Sequence, residues 1–365
     1  MSTLFHIFNS IQNTLFPWLE EALDPLSEKE QKFVQVLSVM DLETHMKAYR
    51  WKGKGRKRKN RLSMAKAFVA KAIYNFETTD ILIDYLRGCK NTRRLCGWEN
   101  PWQVPSKSTF SRAFAQFSEG NLTQDIHQAM VKEHCGEKLA GHISRDSTAI
   151  AAREKPAKKK SDDSVAQPKR KPGRPRKGEV VAPKPPKRLD LQPTRSLEDN
   201  LKDLPTQCDV GTKKNSKGYK ESWTGYKLHL DCIDGDIPVS TILTSASLHD
   251  SQAAIPLSQM SQERITNLYD LMDSAYDAPQ IHSFSKNLGH KPIIDHNPRR
   301  GEKIYMDPAT KARFAQRSSA ERVNSYLKDN YGGRNIRVKG AAKVMTHLMF
   351  GIIAITATQL FRLLE

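Results

Sequence analysis

The chain predicts an α/β unit preceded by an all-α unit, and three observations carry that reading. Up to about residue 135, apolar residues recur at spacings of three and four, as in Phe33, Val36, Leu37 and Met40 and again in Ala67, Val69, Ala70, Ile73 and Tyr74, without any strand pattern. From Leu139 onward, short runs of strand character alternate with helical ones. Between the first of these runs and the rest lies Arg153 to Arg188, with seven prolines and almost no large apolar residue, a composition that buries too little surface to fold alone. The expected organisation is a helical domain over 1–138 and an α/β domain over 139–365, with a disordered insertion at about 153–210.

A chain of 365 residues, 38% of them hydrophobic, suffices for two or three domains with a real core. The net charge of +19 is concentrated. Arg50 to Arg61 holds eight basic residues and no acid, and Arg153 to Arg188 holds fourteen basic and four acidic ones. The rest of the chain is nearly neutral, so the partner is a polyanion; DNA or RNA is favoured over a membrane surface because neither run is an amphipathic helix. The five cysteines form no C-x-x-C pair, which argues against a disulfide scaffold or zinc site and for a reducing compartment. The N-terminus lacks a basic start and a cleavage site, so no signal peptide is expected. The apolar run Leu348 to Ile355 is too short to span a bilayer and reads as a core helix.

The helical unit ends in Val104 to Phe114, where Ser106 can cap a helix. Its first residues, Lys107, Ser108, Thr109, Ser111 and Arg112, are short or cationic groups suited to phosphates and base edges. A helix-turn-helix recognition helix begins this way, as does a capped surface helix; the nearby basic run favours DNA contact through Lys107, Ser108 and Arg112. Ile143 to Ile150 is a strand carrying Asp146, which a turn or edge aspartate would also explain. Inside the insertion, Lys171 to Lys177 reads K-P-G-R-P-R-K and resembles an AT-hook that would lay Arg174, Arg176 and Lys177 in a narrow minor groove; an electrostatic tether is the plainer reading.

Trp223 to Ile233 and Ile237 to Thr244 predict a β-hairpin about the turn Asp234-Gly235-Asp236. Asp250 or Ser251 then caps a helix running to about Ile265. Leu268 to Asp273 is a buried strand ending in an acid, a helix follows Pro279, His290 to Asp295 is a further strand, and an apolar helix from Lys343 to Leu364 closes the fold. Between the last two lies Phe314 to Lys328, free of Gly and Pro, which predicts one helix. At about 100° per residue, Phe314, Arg317, Glu321 and Lys328 share a face, while Val323 and Leu327 form an apolar stripe that packs on a sheet and leaves Glu321 free. Taken alone, Arg317 and Glu321 are an ordinary ion pair of the i, i+4 kind, contributing a few tenths of a kcal/mol.

Several motifs in order resemble those of bacterial insertion-sequence transposases of the DDE type, in the insertion-sequence-4 group. They are Val104 to Arg112, R-D-S-T around Asp146, G-T-K-K-N-S-K-G-Y-K with W-T-G-Y-K-L-H from Gly211 to His229, H-D-S from His249 to Ser251, D-S-A-Y-D from Asp273 to Asp277, and R-x3-E-x6-K from Arg317 to Lys328. The resemblance covers most of the chain. Phe314 stands where the family usually has Tyr, so a hydroxyl is missing, and the space from Asp295 to Phe314 is too short for the large insertion that several members carry there.

The resemblance implies an RNase H-like mixed sheet with flanking helices. It implies a transposase that binds the terminal inverted repeats of an insertion sequence, cleaves and joins double-stranded DNA, and works as a homodimer or higher multimer on nucleoid DNA in the bacterial cytoplasm. Asp146, Asp273 and Glu321 would then be the catalytic triad and the ligands of two Mg²⁺ ions, for which Mn²⁺ substitutes; strand ends and a facing helix can converge such hard oxygen donors from distant parts of a chain. Arg317 and Lys328 would support the site or hold phosphate, with Lys213, Lys214 and Lys227 as further DNA-binding residues and Tyr276 and Trp223 as platforms for a displaced base. Asp277 is an alternative second ligand, and His229 and His249 are proton carriers or plain core and turn histidines. Two other readings remain: a non-catalytic DNA-binding protein derived from a transposase, and an RNase H-fold nuclease acting on RNA or branched DNA.

Overall fold

The computed structural model describes residues 3–51, 53, 59–157, 186–214, 217–299 and 301–364. Arg174, Arg176 and Lys177 of the AT-hook-like segment, and residues 52 and 54–58 of the first basic run, lie outside them. Up to residue 135 the described residues are helical, as the apolar spacing predicts: α1 (Thr3–Ser10), α2 (Phe16–Ala22), α3 (Glu28–Val39), α4 (Leu42–His45), α5 (Arg61–Ile73), α6 (Thr79–Gly88), α7 (Lys90–Leu95), α8 (Lys107–Glu119) and α9 (Leu122–Cys135). Local capping fixes several starts. Ser27 and Glu30 form a reciprocal capping box at α3, and the Thr78 side chain accepts from the Ile81 amide at α6.

The remainder runs β1 (Leu139–Ala151), α10 (Arg188–Leu191), α11 (Leu197–Asp203), β2 (Asp209–Lys214), β3 (Lys220–Ile233), β4 (Ile237–Ser245), α12 (Ser251–Gln262), β5 (Thr266–Met272), α13 (Pro279–Asn287), β6 (Lys291–Ile294), α14 (Pro308–Phe314), α15 (Ser318–Asn330) and α16 (Ala341–Arg362). β3 lies antiparallel to both β1 and β4, while β1, β5 and β6 are parallel neighbours. This is the mixed, RNase H-like sheet with flanking helices that the resemblance implied.

Three expectations are corrected. Residues 188–203, expected within a disordered insertion reaching about 210, carry α10 and α11. Leu201 and Leu204 bring it the apolar surface that Arg153 to Arg188 lacks and pack against Leu257 of α12. Asn200 Nδ2 adds a bond to Gln259 Oε1 at 2.9 Å. β2 was not anticipated, because D-V-G-T-K-K carries too little apolar alternation; it pairs with Lys220 to Gly225, the outer part of β3. Phe314 to Lys328 is not one α-helix: α14 ends at Phe314 and a 3₁₀ turn over Ala315–Arg317 joins it to α15.

The two units share one hydrophobic core. α16 is long and apolar enough to cross a membrane by length and composition, yet it is buried here, packed between α3, α5, α8 and α9 of the helical unit and β4 of the sheet. Phe350 meets Phe68 and Phe114, His127 of α9 bonds to Thr356 Oγ1 at 3.2 Å, and Leu228 and Leu230 close the sheet side of the same cluster. α12 covers the opposite face of the sheet, where Ala254 and Ile255 pack against Met272.

Candidate active site

Alternation along β1 sends Ser144 and Asp146 to one face of the sheet and Arg145 to the other. α15 and the turn before it lie over the first face. Ser144 Oγ donates to the Gln316 carbonyl at 3.1 Å, and Asn324 Nδ2 donates to Asp146 Oδ2 at 3.0 Å. Val323 and Leu327 are fully buried beneath α15, as their stripe predicts. β1 runs parallel to β5 with Ser144 opposite Leu271. Two residues further along each chain come Asp146 and Asp273, so the register itself sets these acids side by side at the open end of β5.

On the other face Arg145 is 1% exposed and holds Asp231 of β3 through two bonds of 2.7 Å, with Ser261 of α12 donating to the same carboxylate at 2.8 Å. This bidentate pair locks β1 against β3 one residue away from Asp146.

The open-end carboxylates are short of positive charge. Burial pushes the Asp146 carboxyl up to about 6, with Asp273 and Glu321 adding to the rise and the Ser147 amide and Arg317 opposing it. Burial also raises Asp273, helped by Asp250 and Asp295; the Ala275 amide, 2.9 Å from its Oδ1, and Arg317 pull the other way. Arg317 is therefore the cation common to all three acids. It gives its bond to Glu321, Nη2 to Oε1 at 2.5 Å, and that carboxylate is 53% exposed. Among the described residues no three His, Cys, Asp or Glu side chains are grouped to hold a metal ion. Glu321 is held by Arg317. The donor chemistry still fits a hard divalent cation: the three side chains offer carboxylate oxygens, and their mutual repulsion is what such a cation relieves.

Lys328 sits on the Asp146 side of α15, half-buried; burial lowers its pKa, as do Lys213 and Arg334, while Asp146 raises it. Lys213 and Lys214 are exposed on β2 of the outer β2–β3 hairpin; Lys213, which pairs with Glu221 at 3.9 Å, is the one close enough to Lys328 to lower its pKa. Two glycines of that hairpin are required. A Cβ on Gly211 would stand 2.4 Å from the Trp223 ring, and Gly225, at φ +152°, approaches Ile150 O to 2.1 Å where a Cβ would be.

Several expected roles are displaced. Tyr276 is 1% exposed, wedged among Ile255, Met272 and Ile281, so neither ring face is open to a base; its hydroxyl is buried without a hydrogen-bond partner among the described residues. Trp223 lies over Gly211 and donates Nε1 to the Tyr226 carbonyl at 3.0 Å, which makes it a hairpin brace. Lys227 turns inward, bonding Leu248 O at 2.7 Å and Asp250 Oδ1 at 2.8 Å, and is unavailable to a DNA surface. Asp250 occupies the first position before α12 without capping it, because its carboxylate is committed to Lys227. Asp277 has one oxygen on His282 and the other on the Asn297 amide, which leaves Asp273 as the free acid of the pair. His229 is fully buried, bonded to Thr244, and held neutral with a pKa of about 4, chiefly by burial.

Asn324 escaped the sequence reading although it follows Glu321 by three residues on the same helix face, a spacing that would have found it. On the helical unit, Lys107, Ser108 and Arg112 are exposed along the first turns of α8. Ser106 precedes the helix without a side-chain cap, its hydroxyl turned to Ser108 and Thr109.

Residues 180–357 match the family model of the transposase DDE domain, and residues 21–116 match that of a transposase domain. The first match takes in Asp273 and Glu321; Asp146 falls between the two. No curated protein matches the chain.

Proposed function

The chain is a DDE transposase, an enzyme that cuts and transfers DNA, and from that premise we propose that Asp146, Asp273 and Glu321 form its catalytic triad. The reading is supported above all by the β1–β5 register, which sets Asp146 beside Asp273 under α15. The three carboxylates would hold two divalent ions, Mg²⁺ or Mn²⁺. Bound there, such ions lower the pKa of an attacking water and steady the leaving 3′ oxygen.

The chain's own residues prepare that chemistry. Asn324 fixes the orientation of Asp146 through its amide hydrogen bond. The Ala275 amide does the same for Asp273. Arg317 holds Glu321 in reserve and, once it lets go, is placed to take a DNA phosphate together with Lys328. The exposed cations of the β2–β3 hairpin, Lys213 and Lys214, carry the strand past the site. The α8 face of Lys107, Ser108 and Arg112 reads the terminal inverted repeat of an insertion-sequence-4-like element, and the AT-hook-like Arg174, Arg176 and Lys177 tether flanking DNA. Two copies of the chain would join both element ends, in the bacterial cytoplasm.

The test is cleavage of linear DNA carrying the element's own ends, with Mg²⁺, by wild type and by Glu321→Ala. Release of 3′ hydroxyl ends by wild type alone, with binding kept in the variant, is the expected result. One observation favours a binding-only protein: Glu321 is given to Arg317. Binding without cutting by both proteins would establish that reading instead.

A further inference from the structure

Outside the carboxylate site, a cavity of about 540 Å³ opens where α5, the starts of α6 and α8, and the segment between α15 and α16 meet. Its walls include Phe76, Phe114, Val338 and Phe350. Its charge is one-sided. Lys71 lines it while only 9% exposed, and its Nζ finds the Glu77 carbonyl at 3.4 Å. The two acids on the lining are already taken: Glu77 by Arg337 at 2.9 Å, and Asp80 by Lys107. Among the described residues no carboxylate pairs with Lys71, Lys339 or Lys343, all three of which line the cavity.

A buried ammonium is costly without an anion beside it. Here a second cation stands close as well: burial lowers Lys71 to about 8, and Arg337 lowers it further than Glu77 restores it. Nearby His347 is held neutral, at about 4, by burial and by Lys71. The missing partner is an anion, and the room beyond the lysine is apolar and aromatic. A phosphate alone would leave those walls wet, whereas a base would cover them. The volume lies in the range of sites for ligands of nucleotide size.

We propose that this cavity binds one nucleotide unit, its phosphate on Lys71 with Lys339 and Lys343 at the mouth and its base against the half-buried Phe76 and Val338. The unit comes either from a DNA strand lying along α8, whose Lys107 and Ser111 reach the cavity edge, or from a free nucleotide. Nothing in this assignment depends on the carboxylate triad.

Binding to the full chain in EDTA, where failure of the triad reading has no effect, tests it. The probes are inorganic phosphate, dAMP and a single-stranded tetranucleotide carrying 5-iododeoxyuridine for photocrosslinking; the proteins are wild type and Lys71→Met, which keeps volume and removes charge. A free-nucleotide site binds dAMP more tightly than phosphate and loses about tenfold or more in the variant. A strand site leaves dAMP weak but crosslinks the tetranucleotide to peptides containing Phe76 or Val338, and the variant loses that crosslink. The proposal is overturned if dAMP binds no better than phosphate and crosslinks fall elsewhere, or if Lys71→Met changes neither signal. Thermal melting confirms the variant's fold, and Lys339→Gln with Lys343→Gln serves the same comparison should Lys71→Met melt early.

Discussion

Two arginine–carboxylate pairs flank the same strand, and they are opposites. Arg145 and Asp231 are fully buried, doubly bonded and backed by Ser261; Arg317 and Glu321 are neighbours on a helix turn, single-bonded, with the carboxylate half in water. Breaking a buried pair leaves a naked charge and costs about 3–5 kcal/mol, whereas the i, i+4 pair contributes a few tenths. One face of the sheet is thus built to hold and the other to exchange. The exchangeable arginine is the one shared by the three acids.

The largest expected effect tests the holding face. Arg145→Met should lower stability in urea by about 3–5 kcal/mol, and Asp231→Leu added to it should recover most of the loss. A loss under about 1 kcal/mol would remove the anchor from the account.

Next comes pH, which acts on the buried histidines. His127 is buried between the Pro238 carbonyl and Thr356, with its pKa brought down to about 3 by burial and by Arg264. A depressed histidine lets the unfolded chain bind a proton that the folded one refuses, so stability is complete above about 6.5 and falls as pH drops toward 3. Between pH 7.5 and pH 5 the loss should be about 2 kcal/mol from His127. Denaturation of His127→Gln at both pH values checks this, and an unchanged slope would exclude the histidine as its source.

On the exchanging face the sign reverses. Asp146→Asn should raise stability at pH 8 by about 1–2 kcal/mol, because it removes a half-buried carboxylate held up by burial and by Asp273, while abolishing cleavage. A destabilised variant would mean that the acids do not repel as the geometry requires. The smallest effect belongs to Arg317→Ala. Its unfolding free energy should shift by less than about 0.5 kcal/mol, yet Mn²⁺ should bind more readily by calorimetry because Glu321 is released. Weaker Mn²⁺ binding would make Arg317 a support of the metal site rather than its competitor.

Sequence patterning carried the fold further than the site. Helical spacing through Tyr74, the hairpin about Asp234-Gly235-Asp236 and the strand ending at Asp273 all follow from periodicity that burial imposes. What escaped was tertiary. β2 is a strand because β3 offers it an edge, and α11 is ordered because α12 offers Leu257. Tyr276 and Lys227 were given roles at a DNA surface because aromatic or basic identity says nothing about which way a side chain turns. Asn324 was legible in its spacing but silent in its chemistry, since an amide announces itself only when its partner is known.

The placement of α16 bears on how the chain comes into being. His127 and Thr356 meet although 229 residues separate them. Everything that α16 touches in α3, α5, α8, α9 and β4 is made earlier and presents an apolar face with no cover until that helix arrives. A chain lacking α16 would expose those faces, and transiently exposed apolar surface of this kind is prone to aggregation. The core shared by the helical unit and the sheet closes only when this last helix is in place.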